Sequence, residues 1–584
     1  MGTTRIPGGI LLLGLMMTLA LPSVRADAAD VCPRFAAGSV VSEPPDLFSR
    51  NGVLQVDLAY QTQTDSAGRT LYCFTTPDGK ESPTLHIRPG DQLIVNVKNM
   101  LPPSAPMPGM EIAPSDVCGA PTMTPTSVNI HYHGTNVSPA CHSDEVIHTM
   151  INSGDSFTYT IQFPTDEPPG LYWYHPHVHG IAEAAVQGGA SGAIVVEGIE
   201  DLQAAVAGLR ARTLVIRDNP VAGNPPPGGA IPSWDVSLNY VPIAYPEETP
   251  AIIKMHPGER EFWRVVNASA DTIIDLQLQY DGRPQFLKVV GLDGVPIGSQ
   301  DGTRQGHLIN QTHILVPTAG RAEFIVIAPP PSVKNAAFLT LAIDTGPDGD
   351  NDPQRTLAKI QLVNRSSALA GLTMPKILGP ANIQRFEGLR TATVTAKRTL
   401  YFSEVLSDPN DPSSPTNFFI TVDGATPTLF SPNNPPAIVT TQGSVEDWTI
   451  QNRSLENHEF HLHQIHFLWL AKNGVPVSRD ENQFFDMLQV PYWTGIGPYP
   501  SVTVRMDFRG PDIGDFVYHC HILGHEDNGM MAIIRVLPGP GATNHSNLAK
   551  PGPAVRKSAQ ATGAAGQIKA MLPGSQFAAV RRAG

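Results

Sequence analysis

Asp515-Phe516-Val517-Tyr518-His519-Cys520-His521-Ile522-Leu523-Gly524-His525-Glu526-Asp527-Asn528-Gly529-Met530 is the stretch on which the rest of the chain turns. Its first residues read as a β-strand, and successive strand side chains point to opposite faces. Cys520 therefore faces one way while His519 and His521 face the other. Two metal sites on opposite sides of one strand would be joined by adjacent residues. On the Cys520 side, His525 follows five residues on and the thioether of Met530 ten residues on. Two His and a Cys thiolate with a weak axial Met are the ligands of a blue-copper electron-transfer site. Zinc, or a buried cysteine beside solvated histidines, would use the same residue types.

The remaining histidines bear on that choice. His131/His133, His175/His177, His461/His463 and His519/His521 form four His-x-His pairs. In an extended chain each pair projects to one face. Two pairs lie early and two late, so a single site using all eight sits where those two parts meet. Eight imidazoles suit redox-active copper better than zinc, which closes on four ligands. His458 and His525 complete a Cys/His/His/Met set with Cys520 and Met530.

Working outward, the chain of 584 residues, with 56 Pro and 52 Gly, alternates short apolar runs with Pro/Gly turns. That grammar is all-β. It repeats three times, over 40–200, 210–365 and 395–540. Val445-Glu446-Asp447-Trp448-Thr449-Ile450-Gln451-Asn452 parallels Glu261-Phe262-Trp263-Arg264-Val265-Val266-Asn267. A repeat of this length is the size of a β-sandwich. Only the first and third blocks carry His-x-His pairs; His256, His307 and His313 in the second read as structural or surface residues. The net charge of −14 argues against a nucleic-acid partner.

Residues 1–26 read as a cleaved signal peptide: Arg5, an apolar core from Gly9 to Leu21, then Val24-Arg25-Ala26. No later segment reads as a membrane span, and the expectation is a secreted or periplasmic protein. Of the five cysteines, Cys520 has the metal context, and the other four allow two bridges. Among three pairings, Cys32–Cys73 with Cys118–Cys141 keeps each bridge within one domain; the other two stay open. Residues 541–584, rich in Ala, Gly, Pro and Ser, read as a disordered tail.

His131-Tyr132-His133-Gly134, His175-Pro176-His177, His458-Glu459-Phe460-His461-Leu462-His463 and the Cys520 stretch stand in the order found in three-domain multicopper oxidases of the laccase type. The chain resembles that family over about 40–540. The resemblance implies three cupredoxin-like Greek-key β-sandwich domains and four copper ions. His458, Cys520 and His525 would hold the type 1 copper, with Met530 axial and Met531 its alternative. His131 and His461 would hold the type 2 copper. His133, His175, His177, His463, His519 and His521 would hold the type 3 pair. Asp144, with Glu145 beside it as the alternative, and Glu526 match acids that relay protons to the O₂ site. His179 departs from the motif.

The implied activity is one-electron oxidation of a small reductant coupled to four-electron reduction of O₂ to water. Phenols or aromatic amines are the expected reductants, with Cu(I) or Fe(II) as the alternative. A copper-binding electron carrier or a nitrite reductase is the reading from another class, but neither calls for four His-x-His pairs. Oligomeric state is not legible.

Overall fold

The computed structural model describes residues 1–2, 30–105, 117–119, 122–221, 232–246, 248–301, 306–369, 371–376, 385–411 and 413–539. The signal-peptide core and the tail from 541 lie outside the described residues. Met1–Asp30 separates from the unit that begins at Val31.

Strand alternation builds the cores. In Ser156–Gln162 every second side chain is buried, which sends Phe157, Tyr159 and Ile161 inward. The strands up to Gly192–Val196 form a 5-stranded and a 4-stranded sheet. Those from Arg210–Pro220 to Leu372–Thr373 form a 9-stranded and a 6-stranded sheet, and those from Ala396–Leu406 onward a 7-stranded and a 5-stranded one. Each pair of sheets encloses its own apolar cluster.

The repeat seen in the sequence returns as geometry. Val53–Thr64, Arg210–Pro220 and Ala396–Leu406 each run parallel to a later strand, Gln92–Asn99, Arg260–Asn267 and Val445–Asn452. Trp263 Nε1 donates to Glu261, which also binds Arg212. Trp448 Nε1 donates to Glu446, which also binds Arg398. The same indole–carboxylate–guanidinium contact thus recurs in the second and third blocks.

One strand joins the blocks. Gly170–His175 is buried on both faces. Tyr172 and Tyr174 enter the first core. Leu171 and Trp173 face the other way, into a cluster with Val215, Val266 and Ala268 of the second block and Met487 of the third. That seam places His175 where all three blocks meet. Cys32 is bridged to Cys73 and Cys118 to Cys141, the pairing that keeps each bridge local. No helix among the described residues is long and apolar enough to cross a membrane.

Candidate copper centre

The Cys520 face is a compact triad. Sγ of Cys520 lies 3.7 Å from Nδ1 of His458 and 3.7 Å from Nδ1 of His525. The two Nδ1 atoms are 3.0 Å apart. His458 comes from the strand His458–Leu462, Cys520 from the end of Gly514–Cys520, and His525 from a short helix, Leu523–Asp527. Met530 is fully buried in the same apolar cluster as Cys520. Met531 instead packs with Val146, Ile147 and Phe430, so the strand turns it away from the triad. Burial pushes the Cys520 thiol up, so a cation at this site would favour the thiolate.

His519 and His521 face the opposite side, as alternation requires. The ladder sets His131 across from His175, and His461 across from His519. The two sheets then interleave their rings between blocks. His131 stacks on His463 with centroids 3.8 Å apart, and His133 on His461 at 4.0 Å. Nε2 of His519 lies 3.3 Å from Nε2 of His177 and 3.2 Å from Nε2 of His463. His521 completes the chamber, its ring 4.9 Å from that of His133 and 5.4 Å from that of His175.

Copper fits this donor set. Nε2 of His131, His133, His175, His461 and His521 is buried with no hydrogen-bond partner. Orphaned buried nitrogens are rare and costly, and their convergence suits metal ions. Burial first, then mutual repulsion, lowers the affinity of His131, His177, His463 and His521 for protons. Both effects favour the neutral imidazoles, whose lone pairs can take a metal ion. His131, His133 and His461 can share one ion, as can His177, His463 and His519, and the Cys520 triad makes a third group.

The acids are placed differently from each other. Asp144 lies 3.0 Å from Nδ1 of His131 and accepts from Gln464 at 2.6 Å. Burial pushes it up to about 7. Glu145 instead accepts the backbone N–H groups of Ile147 (3.1 Å) and His148 (2.9 Å) in its own turn. Glu526, on the helix with His525, sends Oε2 to 3.2 Å from Nδ1 of His519 and Oε1 to 3.6 Å from Nδ1 of His177. His179 is half-buried against Phe430, its Nδ1 buried and unpartnered, outside the chamber's ligand groups.

Several neighbours were not legible as site residues. Oγ of Ser454 lies 2.7 Å from Nε2 of His458, whose ring is fully buried. Glu456 Oε1 lies 3.5 Å from Nε2 of His525. Burial and the adjoining Glu456 push Glu404 up to about 9, and burial pushes Glu456 up to about 8. A small cavity against His525 is lined by Asp271, Asp350, Asp352 and Glu456, and Oδ1 of Asp352 is buried there without a partner. The spacing of Ser454 and Glu456 from His458 was the available signal. Asp271, Asp350 and Asp352 come from loops of another block and gave none.

Family profiles described as "Multicopper oxidase" match residues 122–201 and 406–540. The "Multicopper oxidase LPR1 homolog 3" of rice (Oryza sativa subsp. japonica) is 24% identical over 554 residues, covering 81% of this chain and 95% of the relative. The "Laccase" of Bacillus subtilis is 24% identical over 408 residues, covering 63% and 71%. Among solved structures, a Campylobacter jejuni multicopper oxidase described as a metallo-oxidase superposes with a TM-score of 0.62 at 22% identity, covering 87% of this chain and 96% of that one.

Proposed function

We propose that this chain, which belongs to the multicopper oxidases, takes electrons singly from a small reductant beside His525 and passes four of them to each O₂ in the eight-histidine chamber. The observation that carries this reading is the joint presence of the Cys520 triad and the chamber on opposite faces of one strand. The copper ions, four in this reading, supply one-electron transfer at the triad and reduction of O₂ to water in the chamber.

The chain's own residues do the rest. His458, Cys520 and His525 would hold the type 1 ion, with the Met530 thioether as a weak further donor. His131 and His461 would hold the type 2 ion, and His133, His175, His177, His463, His519 and His521 would hold the type 3 pair. Cys520 is covalently continuous with His519 and His521. The carbonyl of Cys520 also accepts from Nδ1 of His519 at 2.9 Å, a second short link. Asp144 and Glu526 stand where a proton can be held beside His131 and His519 and released into the chamber. We take 40–200, 210–365 and 395–540 as the three domains, and export through a signal peptide at 1–26 as the route.

Phenols or aromatic amines are the first reading of the reductant. A second is favoured by one observation, the carboxylates of Glu404, Glu456, Asp350 and Asp352 gathered at His525. Oxygen donors select hard divalent ions, and no thioether lines that cavity, so Fe(II) fits it better than Cu(I). Oxygen uptake by one copper-loaded sample with a phenol, Fe(II) and Cu(I) tests both. Glu456→Gln should lower kcat/KM for Fe(II) while sparing the phenol if the second reading holds. Absence of O₂ uptake with all three would return the chain to the electron-carrier class.

A further inference from the structure

The second block carries none of the candidate ligands, yet one of its side chains reaches His133 of the chamber. Arg321, at the head of the strand Arg321–Ile327, is fully buried. Its Nη1 lies 3.3 Å from Nδ1 of His133 in the first block. Its Nε donates to the carbonyl of Leu171 at 3.2 Å, on the strand that ends at His175. Its two Nη groups grip the carboxylate of Asp486 in the third block, Nη1 to Oδ1 at 2.6 Å. The backbone oxygen of that same Asp486 accepts from Nδ1 of His461 at 2.9 Å.

Asp293, also of the second block, fixes the pair from behind. Its Oδ1 accepts the Arg321 N–H at 2.9 Å, and its Oδ2 accepts the N–H groups of Asp486 and Met487 at 3.3 and 3.2 Å. Gly134, next to His133, has φ +83°, and a Cβ there would meet Arg321 Nη2 and Asp486 Oδ2 at 2.4 Å. The glycine of His131-x-His133-Gly134 is thus the surface on which the ion pair packs. A planar guanidinium matched by a carboxylate in a dry site is rigid in a way that a lysine is not.

We propose that Arg321 is a positioning residue for the O₂ site: through the Asp486 fork it holds His133 and His461 at a fixed separation across the seam between first and third blocks. The proposal rests on the eight-histidine chamber being that site. It gives the ligand-free block a role in the chemistry, because losing the fork lets the two facing histidines drift.

The test uses the copper-loaded full chain and the variants Arg321→Lys and Asp486→Asn, the second serving if the first does not fold. Copper retained against a graded chelator, the type 2 electron paramagnetic resonance signal, the blue absorption and the melting temperature of the copper-free protein are read together. Arg321→Lys should keep the blue absorption and a melting temperature near wild type. It should lose chamber copper at chelator concentrations 10- to 100-fold lower, the usual cost of removing a group that orients ligands, with an altered type 2 signal. Full copper retention with an unaltered signal overturns the proposal. So does loss of blue and chamber copper in step with a large fall in melting temperature, which marks general destabilisation. A wild-type sample with blue absorption and no further copper overturns the chamber reading itself.

Discussion

Ser454→Ala isolates one hydrogen bond at the electron inlet. His458 turns Nδ1 toward Cys520 and Nε2 toward the Ser454 hydroxyl, 2.7 Å away. With Nδ1 given to the metal, the proton sits on Nε2 and is donated to Oγ. That bond pushes electron density onto the ring and favours the more highly charged oxidised ion. A buried neutral hydrogen bond contributes ~0.5–1.5 kcal/mol net. Lost wholly from the oxidised form, it raises a one-electron potential by about 20–60 mV, since ~1.4 kcal/mol corresponds to ~59 mV. An anaerobic redox titration of the blue absorption, variant against wild type, reads the shift. An unchanged potential, or a fall, would refute the assignment of Nδ1 as donor atom and Ser454 as its support.

Glu526→Gln keeps shape and removes the releasable proton beside His519; turnover should fall by about 10² to 10⁴, while anaerobic reduction of the blue site stays at the wild-type rate in stopped flow. Slow reduction with normal reoxidation would move Glu526 to the reductant side. Met530→Leu should retain the blue absorption and raise its potential, because the weak axial donor favours the oxidised ion; a shift in Met531→Leu instead would transfer the role. His86 is buried between Asp46 (2.8 Å) and Glu197 (2.6 Å). Burial works to lower its pKa and is outweighed by the hydrogen bonds to those carboxylates, so the folded value is raised. Its stabilisation is therefore complete below the unfolded pKa of about 6.5 and is lost as pH climbs through the folded value. The melting temperature of His86→Gln should trail wild type most at pH 5 and converge with it at alkaline pH; a constant gap would refute the linkage.

Much of the site was legible because strand geometry writes it locally. A spacing of two places both histidines of a pair on one face, and the alternation at His519-Cys520-His521 assigns two faces to two sites. The choice between Asp144 and Glu145 was not legible, since adjacent carboxylates are chemically alike. The structure sets Asp144 beside His131, whereas Glu145 accepts the N–H groups of Ile147 and His148 in its own turn. Met530 and Met531 were divided in the same way, by which core each enters. The three-block repeat showed in its Pro/Gly turns and in Glu261/Trp263 against Glu446/Trp448. Arg321 lies 188 residues from His133, and no periodicity in sequence carries a contact of that range. Which of His458 and His525 lies toward a cavity also needed the structure: Ser454 closes over His458, and His525 borders a small cavity.

The chamber is shared between the two ends of the chain. His177 and His519 meet at 3.3 Å although 342 residues separate them. A ribosome must therefore finish nearly the whole polypeptide, and both outer sandwiches must close, before a cluster of ions has anywhere to settle. A chain that stops short of His461 keeps four of the eight imidazoles, and one that stops short of His519 keeps six. A complete chamber therefore forms only once the segment carrying His519 and His521 has been made.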